Sequence, residues 1–263
     1  MKRSIFLFIM CLMAINVASQ CLNRWQIGVG ELRSTDKVLS DQQYRGVSVA
    51  LRALHIGNYK KSNSQIFWSF LDDIKYSSMR NSSKTARMHY VSVKLDFGTH
   101  YVFELGRGFK LSTGGLIDAF GAMKYVPRNV NNVVSADVQV GLRAVITTHY
   151  LYKINERFSI GCHYGLTSPV IGCFFSPEFG ESYYEIWQNM SNSLSRDIHF
   201  SSFHNRQGVS GELDFDMIFK SGVLTLGFRH ENEWWQASGN SFSISDIKGI
   251  IGFALRLSSI NPY

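Results

Sequence analysis

The sequence predicts an all-β protein: an antiparallel up-and-down transmembrane β-barrel of about ten strands that follows a cleaved signal peptide. Three observations predict it: an apolar targeting segment at the start, long stretches in which apolar and polar residues alternate, and an even number of such stretches. With 45% hydrophobic, 14% aromatic and 18% charged residues in 263, a disordered chain is excluded, because such chains are poor in aromatics and rich in charge.

The N-terminal segment reads as an export signal. Lys2 and Arg3 precede an apolar run over residues 5–15, and small residues follow at 17–19. That run is shorter than the ~20 apolar residues that a membrane-spanning helix needs. We therefore expect a signal peptide at 1–19 and a single barrel domain at 20–263. The alternative is a lipoprotein signal with Cys21 as the lipid-bearing residue, although Gln20 occupies the position where such signals want a small residue.

The clearest strand lies between residues 133 and 152. A strand separates its two faces at a period of two, whereas a helix would mix them at a period of 3.6. One face here is apolar and comprises Val134, Ala136, Val138, Val140, Leu142, Ala144 and Ile146; the other comprises Ser135, Asp137, Gln139, Gly141, Arg143 and Thr147. No apolar run of 18 residues occurs after the signal, so a helical membrane protein is excluded.

The same alternation predicts the remaining strands. Long segments occur at 86–105, 109–125 and 157–174, and weaker ones at 25–34, 44–57 and 64–76. Three more lie between residues 207 and 257, divided by 220–222 and 237–242. Several of these strands far exceed the usual 5 to 6 residues, as expected for strands that cross a membrane.

The connections give an independent test of the strand count. Short turns are predicted at 106–108, 153–156 and 220–222, and longer loops at 77–85, 126–132, 175–206 and 237–242. Outer-membrane barrels have short periplasmic turns and long extracellular loops, so ten strands leave both termini in the periplasm. The segment 175–206 is long enough to hide another hairpin, and twelve strands is the alternative.

Alternation alone does not decide which face is inside. A soluble, periplasmic, lipocalin-like binding barrel buries its apolar face, whereas a membrane barrel exposes it to lipid. The strand lengths and the signal favour the membrane barrel, with a narrow lumen filled by paired charges of both signs. The predicted lumen residues are Asp137, Arg143, Glu212, Asp214, Asp216, Arg229, Glu231, Lys248 and Arg256.

Two segments carry a resemblance to a known family. The first is Ser34-Thr35-Asp36-Lys37-Val38-Leu39-Ser40 followed by Tyr44-Arg45-Gly46, and the second is the run Pro169-Val170-Ile171-Gly172-Cys173-Phe174-Phe175-Ser176-Pro177-Glu178-Phe179-Gly180-Glu181-Ser182-Tyr183-Tyr184-Glu185-Ile186. Together they resemble an uncharacterised Bacteroidetes family known only as a domain of unknown function. The resemblance spans nearly the whole mature chain and implies an outer-membrane location without an assigned activity.

The long loop at 175–206 holds the candidate functional residues, because binding residues concentrate on loops held by a rigid scaffold. Candidate ligand-binding residues are Glu178, Glu181, Tyr183, Tyr184 and Glu185, which equally suit a lid or an interfacial aromatic belt.

One pair in this loop has catalytic spacing. On an extended segment His199 and Ser201 share a face, so the imidazole could take the serine proton while Asn205 or Glu212 orients the ring. This resembles the His-x-Ser pair of outer-membrane phospholipases and lipid A deacylases, although Ser202-Phe203 replaces the small polar pair that follows the serine in those enzymes.

We therefore expect a non-enzymatic outer-membrane protein acting in envelope structure, small-solute passage or ligand contact, with a lipid esterase as the alternative. No metal or cofactor is predicted, since His230, Glu231 and Glu233 divide between two faces of a strand. Nucleic-acid binding lacks a basic patch. The expected partners are the barrel assembly machinery, outer-membrane lipids and lipopolysaccharide, whose phosphates could meet Arg80, Lys84 and Arg87.

Overall fold

The structure is a computed structural model that describes residues 21–59, 65–128, 133–177, 183–188, 196–237 and 239–255. The predicted signal peptide at 1–19 and Arg256 lie outside these ranges. No helix in the described ranges has the length and hydropathy needed to span a bilayer.

Ten long strands make up almost all of the described chain. They are β1 (Cys21–Asp36), β2 (Ser40–Asn58), β3 (Ile66–Asn81), β4 (Arg87–Gly106), β5 (Phe109–Tyr125), β6 (Val134–Lys153), β7 (Phe158–Phe175), β9 (Arg206–Phe219), β10 (Gly222–Ala237) and β11 (Asn240–Leu255). Between β7 and β9 lie the short helix α1 (Tyr183–Gln188) and the five-residue strand β8 (Ile198–Ser202).

The ten long strands close into a ring. Each pairs antiparallel with its neighbour in sequence, β7 pairs with β9, and β1 pairs with β11 over fourteen residues from Asn23↔Leu255 to Asp36↔Phe242. The predicted ten-strand up-and-down barrel is confirmed. β8 pairs only with the end of β7, so the described part of the 175–206 segment does not extend the ring to twelve strands.

The alternation places apolar side chains on the outside. On β6, Val138, Val140, Leu142 and Ile146 are exposed, whereas Ser135, Gln139 and Arg143 are buried inside. Other exposed apolar residues around the wall include Ile27, Val29, Leu51, Ile74, Val93, Phe97, Ile117, Ile160, Phe215, Leu226, Phe228, Ile247 and Ile251. An apolar exterior around a polar interior is the arrangement of a membrane barrel, and the lipocalin-like alternative is wrong.

We name the two ends of the barrel by what they carry. At the terminal end β1 begins and β11 ends; the opposite end, the loop end, carries the segment with α1 and β8. Exposed aromatic residues lie toward both ends of the wall, as in the two interfacial girdles of membrane barrels: Tyr101, Phe103, Phe109, Tyr150, Tyr152, Phe219 and Phe253 toward the terminal end, and Tyr76, Tyr125, Phe200 and Phe203 toward the loop end.

Two predicted loops are much shorter than expected. The predicted loop 77–85 shrinks to 82–86, because Ser77, Met79 and Asn81 continue the inward face of β3. The predicted loop 237–242 shrinks to 238–239, since β10 and β11 stay paired as far as Ala237↔Asn240. At both places the inward face mixes polar and apolar residues, such as Ser77 beside Met79, so the regular alternation that marks a strand is lost there.

Candidate functional site in the barrel lumen

An apolar cluster closes the lumen toward the loop end. It is built from inward residues of most strands and from the turn after β1, and its members have little or no solvent exposure. They are Leu32, Leu39, Tyr44, Met79, Met88, Tyr90, Ala122, Val126, Phe174, Trp235, Phe242 and Ile244. Burial of large side chains such as Trp235 and Phe242 removes water from this end of the lumen.

A buried lysine lies directly against this cluster. The Lys124 ammonium contacts Asp36 Oδ2 at 2.5 Å and Asp137 Oδ2 at 2.7 Å, and lies 3.8 Å from the centre of the Phe242 ring. The two carboxylates and the ring replace the water that the ammonium loses on burial. Asp36 and Lys124 come from β1 and β5, four places apart around the ring of ten strands, so this pair crosses the lumen.

A second ionic layer joins β5, β6, β9 and β10. Glu233 accepts from Arg143 at 2.5 Å and from Arg206 at 3.3 Å, and Arg206 also contacts Asp118 at 3.4 Å. All four side chains are buried. Charges at this depth need partners, because a buried ion without one keeps its full desolvation cost, whereas an opposite charge and hydrogen bonds offset much of that cost.

Below it lies a lysine-rich layer. Lys75 contacts Glu231 at 2.8 Å and Asp246 at 2.6 Å, and Lys248 contacts Asp246 as well. Lys94 approaches Glu231 to 3.9 Å from β4, the strand diametrically opposite β10. These contacts again bridge the full width of the barrel.

The layer nearest the terminal end is rich in arginine. Glu212 accepts from Arg52 at 2.9 Å and from Arg229 at 3.3 Å. Next to it, Arg24 reaches Asp214 at 3.3 Å and Asp216 at 2.6 Å, and Thr225 donates to Asp216 at 2.6 Å.

A cavity of about 190 Å³ remains inside the lumen. One part of its wall is charged and includes Arg52, Asp73, Lys94, Glu212 and Arg229. The other part is apolar and includes Leu54, Ile56, Phe67, Leu71, Leu116 and Phe120. A cavity with both kinds of wall suits a small molecule that has a charged group and a hydrocarbon portion.

The predicted lumen residues all face the interior where the structure describes them: Asp137, Arg143, Glu212, Asp214, Asp216, Arg229, Glu231 and Lys248. Arg256 lies outside the described residues. Sequence reasoning missed their partners Asp36, Lys75, Lys124, Arg206 and Glu233, and also Arg24, Arg52 and Asp246. The alternation Arg24, Gln26, Gly28 opposite Trp25, Ile27, Val29 would have found the β1 contribution.

The predicted esterase residues lie on β8 and in the turn after it. His199 and Ser201 do share a face, but the structure gives no hydrogen bond between them. The His199 Nε2 atom lies 3.1 Å from the Ser176 carbonyl oxygen, and Ser201 is only 1% exposed. Asn205 donates to the Phe200 carbonyl oxygen and accepts from the Ser202 amide, so its side chain holds the turn. Glu212 is engaged with Arg52 in the lumen.

The predicted ligand-binding residues are only partly described. Tyr183, Tyr184 and Glu185 belong to α1, where Tyr184 and Glu185 are exposed. Glu178 and Glu181 lie outside the described residues. In the described ranges, no group of three or more His, Cys, Asp or Glu side chains is placed to hold a metal ion.

The even strand number, the apolar exterior and the ion-paired lumen together define the class: this chain is an outer-membrane β-barrel. Within that class it belongs to the family described as proteins of unknown function (DUF3316), whose model matches residues 9–261. The family expected from the sequence is thereby confirmed, while its Bacteroidetes origin stays a prediction.

Solved structures with a similar shape were also found, all at low sequence identity. The transport unit of the autotransporter AIDA-I from Escherichia coli is 11% identical with a TM-score of 0.46, covering 92% of both chains. The outer-membrane protease OmpT from Escherichia coli is 7% identical with a TM-score of 0.41, over 89% of this chain and 96% of the other. The translocator domain of the autotransporter NalP from Neisseria meningitidis is 9% identical with a TM-score of 0.39, over 97% and 96%. No curated protein matches this chain.

Proposed function

We propose that this protein is a closed, non-conducting barrel of the Gram-negative outer membrane that acts without catalysis in envelope structure. In this proposal residues 1–19 direct export, and the barrel assembly machinery inserts the mature chain. The observation that carries the proposal is the set of ion pairs that cross the lumen. Lys124–Asp36, Lys75–Glu231 and Arg52–Glu212 each join strands four places apart in the ring.

Such pairs narrow the lumen at several levels and so oppose a continuous water-filled path along the axis. Ten strands enclose little more space than their own inward side chains fill. The apolar cluster at the loop end adds a second closure, since a dry constriction opposes the passage of ions. The fold therefore suits a rigid envelope component better than a diffusion pore.

Conductance in a planar lipid bilayer tests the proposal. The wild-type protein should show no stepwise ion currents. A quadruple variant, Arg52→Ser, Lys75→Ser, Glu212→Ser and Glu231→Ser, removes both partners of two crossing pairs and leaves neither pair half-intact. By itself it should stay closed behind the apolar cluster; with Trp235→Ser and Phe242→Ser added it should conduct, because small side chains then replace both the crossing pairs and the apolar constriction.

Three exposed residues at the terminal end supply the control, Lys153→Ser, Arg157→Ser and Lys220→Ser, which should stay closed. Reproducible currents from the wild-type protein would show that the lumen is open and that solute passage is the better assignment.

The mixed cavity favours ligand contact as a second candidate function. A carboxylate could lie beside Arg52 and Arg229 while its hydrocarbon tail contacts Leu54 and Leu71.

Calorimetry of octanoate binding to the protein in detergent tests this second candidate function. Leu71→Trp would fill part of the cavity and should abolish octanoate binding, whereas Ile74→Trp on the outer face of the same strand should not. If octanoate does not bind, or binds equally to both variants, the cavity is not a site for such amphiphiles.

The esterase alternative makes a separate chemical prediction. With its serine buried and not hydrogen-bonded to His199, the wild-type protein should release no acyl chains from phospholipid or lipid A. Ser201→Ala should keep heat-modifiable folding, because one hydroxyl in the loop region holds little of the barrel together. Acyl release by the wild-type protein that disappears in Ser201→Ala would establish an enzyme.

A further inference from the structure

Four arginines form a row on the outer wall near the loop end. Arg33 pairs in register with Arg45, Arg45 with Arg80, and Arg80 with Arg87, so the row crosses β1 to β4 at one level. With neighbouring strands ~4.8 Å apart, the four backbones span roughly 14 Å. Lys84, in the turn between β3 and β4, adds a fifth positive charge.

The protein itself neutralises only a small part of this charge. Glu31 contacts Arg33 at 2.7 Å and Arg45 at 2.6 Å. In the described parts of the chain, Arg80, Arg87 and Lys84 form no ion pair, and all three are exposed. Like charges directly opposite one another on adjacent strands are destabilising. A row of this kind therefore calls for an anionic partner from outside the chain.

The row lies at the upper edge of the apolar wall. Val47 lies two residues from Arg45 toward the middle of the wall and is 66% exposed. Val91 lies four residues from Arg87 in the same direction and is also exposed. Three of the arginines, Arg45, Arg80 and Arg87, also border an outward groove of about 790 Å³, whose lining includes Glu31, Val47 and Lys84. A ligand there would have its charge at the arginines and its apolar portion against the wall.

The backbone around the row is held firmly. The Asn81 Nδ2 atom lies 2.6 to 3.0 Å from side-chain oxygens of Gln42, Ser83 and Thr85, among which its two hydrogens are shared, and its Oδ1 atom accepts from the Ala86 amide. Lys84 has a positive φ of 58° within this turn. A preorganised cluster binds with less loss of side-chain and loop freedom than a mobile one.

We propose that the arginine row binds the phosphate groups of lipopolysaccharide in the outer leaflet. This inference depends on the outer-membrane location proposed above, in which the loop end faces the cell exterior. Arginine is suited to the role, because its planar guanidinium donates two parallel hydrogen bonds to a phosphate. The apolar wall directly below the row provides the surface for the acyl chains of the same lipid.

Native mass spectrometry of the purified barrel in detergent tests the proposal, with bis-phosphorylated lipid A as the probe. The triple variant Arg45→Gln, Arg80→Gln and Arg87→Gln should bind it about a hundredfold more weakly, and Arg80→Gln alone about fivefold. Without lipid A the triple variant should unfold at a higher temperature than the wild-type protein, because the opposed like charges are gone. That gain distinguishes lost binding from a damaged fold.

Three further arms decide the outcome. The control Lys153→Gln, Arg157→Gln and Lys220→Gln removes the same charge at the terminal end and should bind as the wild type does. Lipid A without phosphates should bind poorly, and inorganic phosphate should not displace lipid A. Undiminished binding to the triple variant, equal loss in the control, equal binding of dephosphorylated lipid A, or displacement by inorganic phosphate would each overturn the proposal. Because the protein is purified, these results do not depend on its location, which fractionation tests separately.

Discussion

Adjacent residues on a barrel strand meet opposite environments, and β6 shows this most clearly. Val138 is 51% exposed on the outer wall, whereas its neighbour Gln139 is only 5% exposed in the lumen. The sequence predicts that Gln139→Arg, which faces the lumen, destabilises the barrel less than Val138→Arg, which faces lipid. The structure makes the two losses of stability more alike, because the lumen around Gln139 is filled and Arg is larger than Gln and adds a charge there. Two positions on the lipid-facing side of β6 that differ only in their depth in the bilayer give a clearer comparison.

The first prediction uses that depth. Val138→Arg places a charge on the lipid face at mid-strand and should lower the free energy of unfolding by ~2 to 4 kcal/mol, whereas Val134→Arg lies at the loop end of the same face and should cost about 0 to 1 kcal/mol. Urea titration in lipid vesicles measures both. Equal costs would mean that Val138 does not lie near the bilayer midplane.

The second prediction concerns the buried Arg143–Glu233 pair. Arg143→Met leaves Glu233 with one cationic partner and should destabilise the barrel by about 3 to 5 kcal/mol. The double variant Arg143→Met and Glu233→Met should cost much less than the sum of the two single variants, because each single variant already loses the Arg143–Glu233 contact and the double variant loses it only once. A double-mutant cycle from unfolding titrations gives the coupling energy. Additive costs would mean that the two groups do not interact.

At the scale of the strand, β7 contains a proline that a regular barrel strand would not tolerate. Pro169 lacks an amide hydrogen, and its position coincides with a change of partners. β7 pairs with β9 as far as Thr167 and with β8 from Ile171 onward. The register against β6 also shifts here, between Leu142 and Arg143. The proline thus occupies the place where the hydrogen-bonded ladder is already interrupted.

The third prediction concerns the β4–β5 turn, where two glycines have positive φ but different surroundings. At Gly106, with φ of 85°, an added Cβ meets open space, whereas at Gly108, with φ of 80°, it would lie 2.4 Å from the Leu151 carbonyl oxygen. Gly106→Ala should cost ~1 to 2 kcal/mol from backbone strain alone. Gly108→Ala should cost distinctly more, because the β6 backbone must also move. Unfolding titrations compare the two, and equal costs would contradict the stated geometry.

For the whole molecule, the exposed apolar wall makes a prediction about behaviour in cells. The mature protein should fractionate with outer membranes, resist washing with urea or carbonate, and migrate differently on gels before and after boiling. The closed ring of backbone pairing is the reason, because the barrel has no free edge at which denaturation begins. Recovery as a soluble periplasmic monomer would contradict the membrane assignment.

The pattern of residues was enough to predict most of the wall. Val138 and Gln139 belong to a long, strictly alternating run, and such runs predicted ten strands because the side-chain period of a strand is two. Prediction failed at strand ends. Residues 77–81 look like a loop because their inward members are polar or flexible, yet they complete β3. The inward Leu32 and Tyr44 show the reverse, being apolar residues inside a largely polar lumen.

The sequence by itself predicted about ten antiparallel strands with two chemically distinct faces, because these follow from the local alternation of side chains; in the described chain, the pairing of β8 with β7 alone then decided against twelve. Only the tertiary structure decided which charges meet. Lys124 and Asp36 lie 88 positions apart, Lys75 and Glu231 lie 156 apart, and no local pattern records that closure of the ring brings them together. The row Arg33, Arg45, Arg80 and Arg87 likewise depends on register across four strands. Register is set by the pairing of whole strands, so an alignment of like charges is invisible until the sheet is assembled.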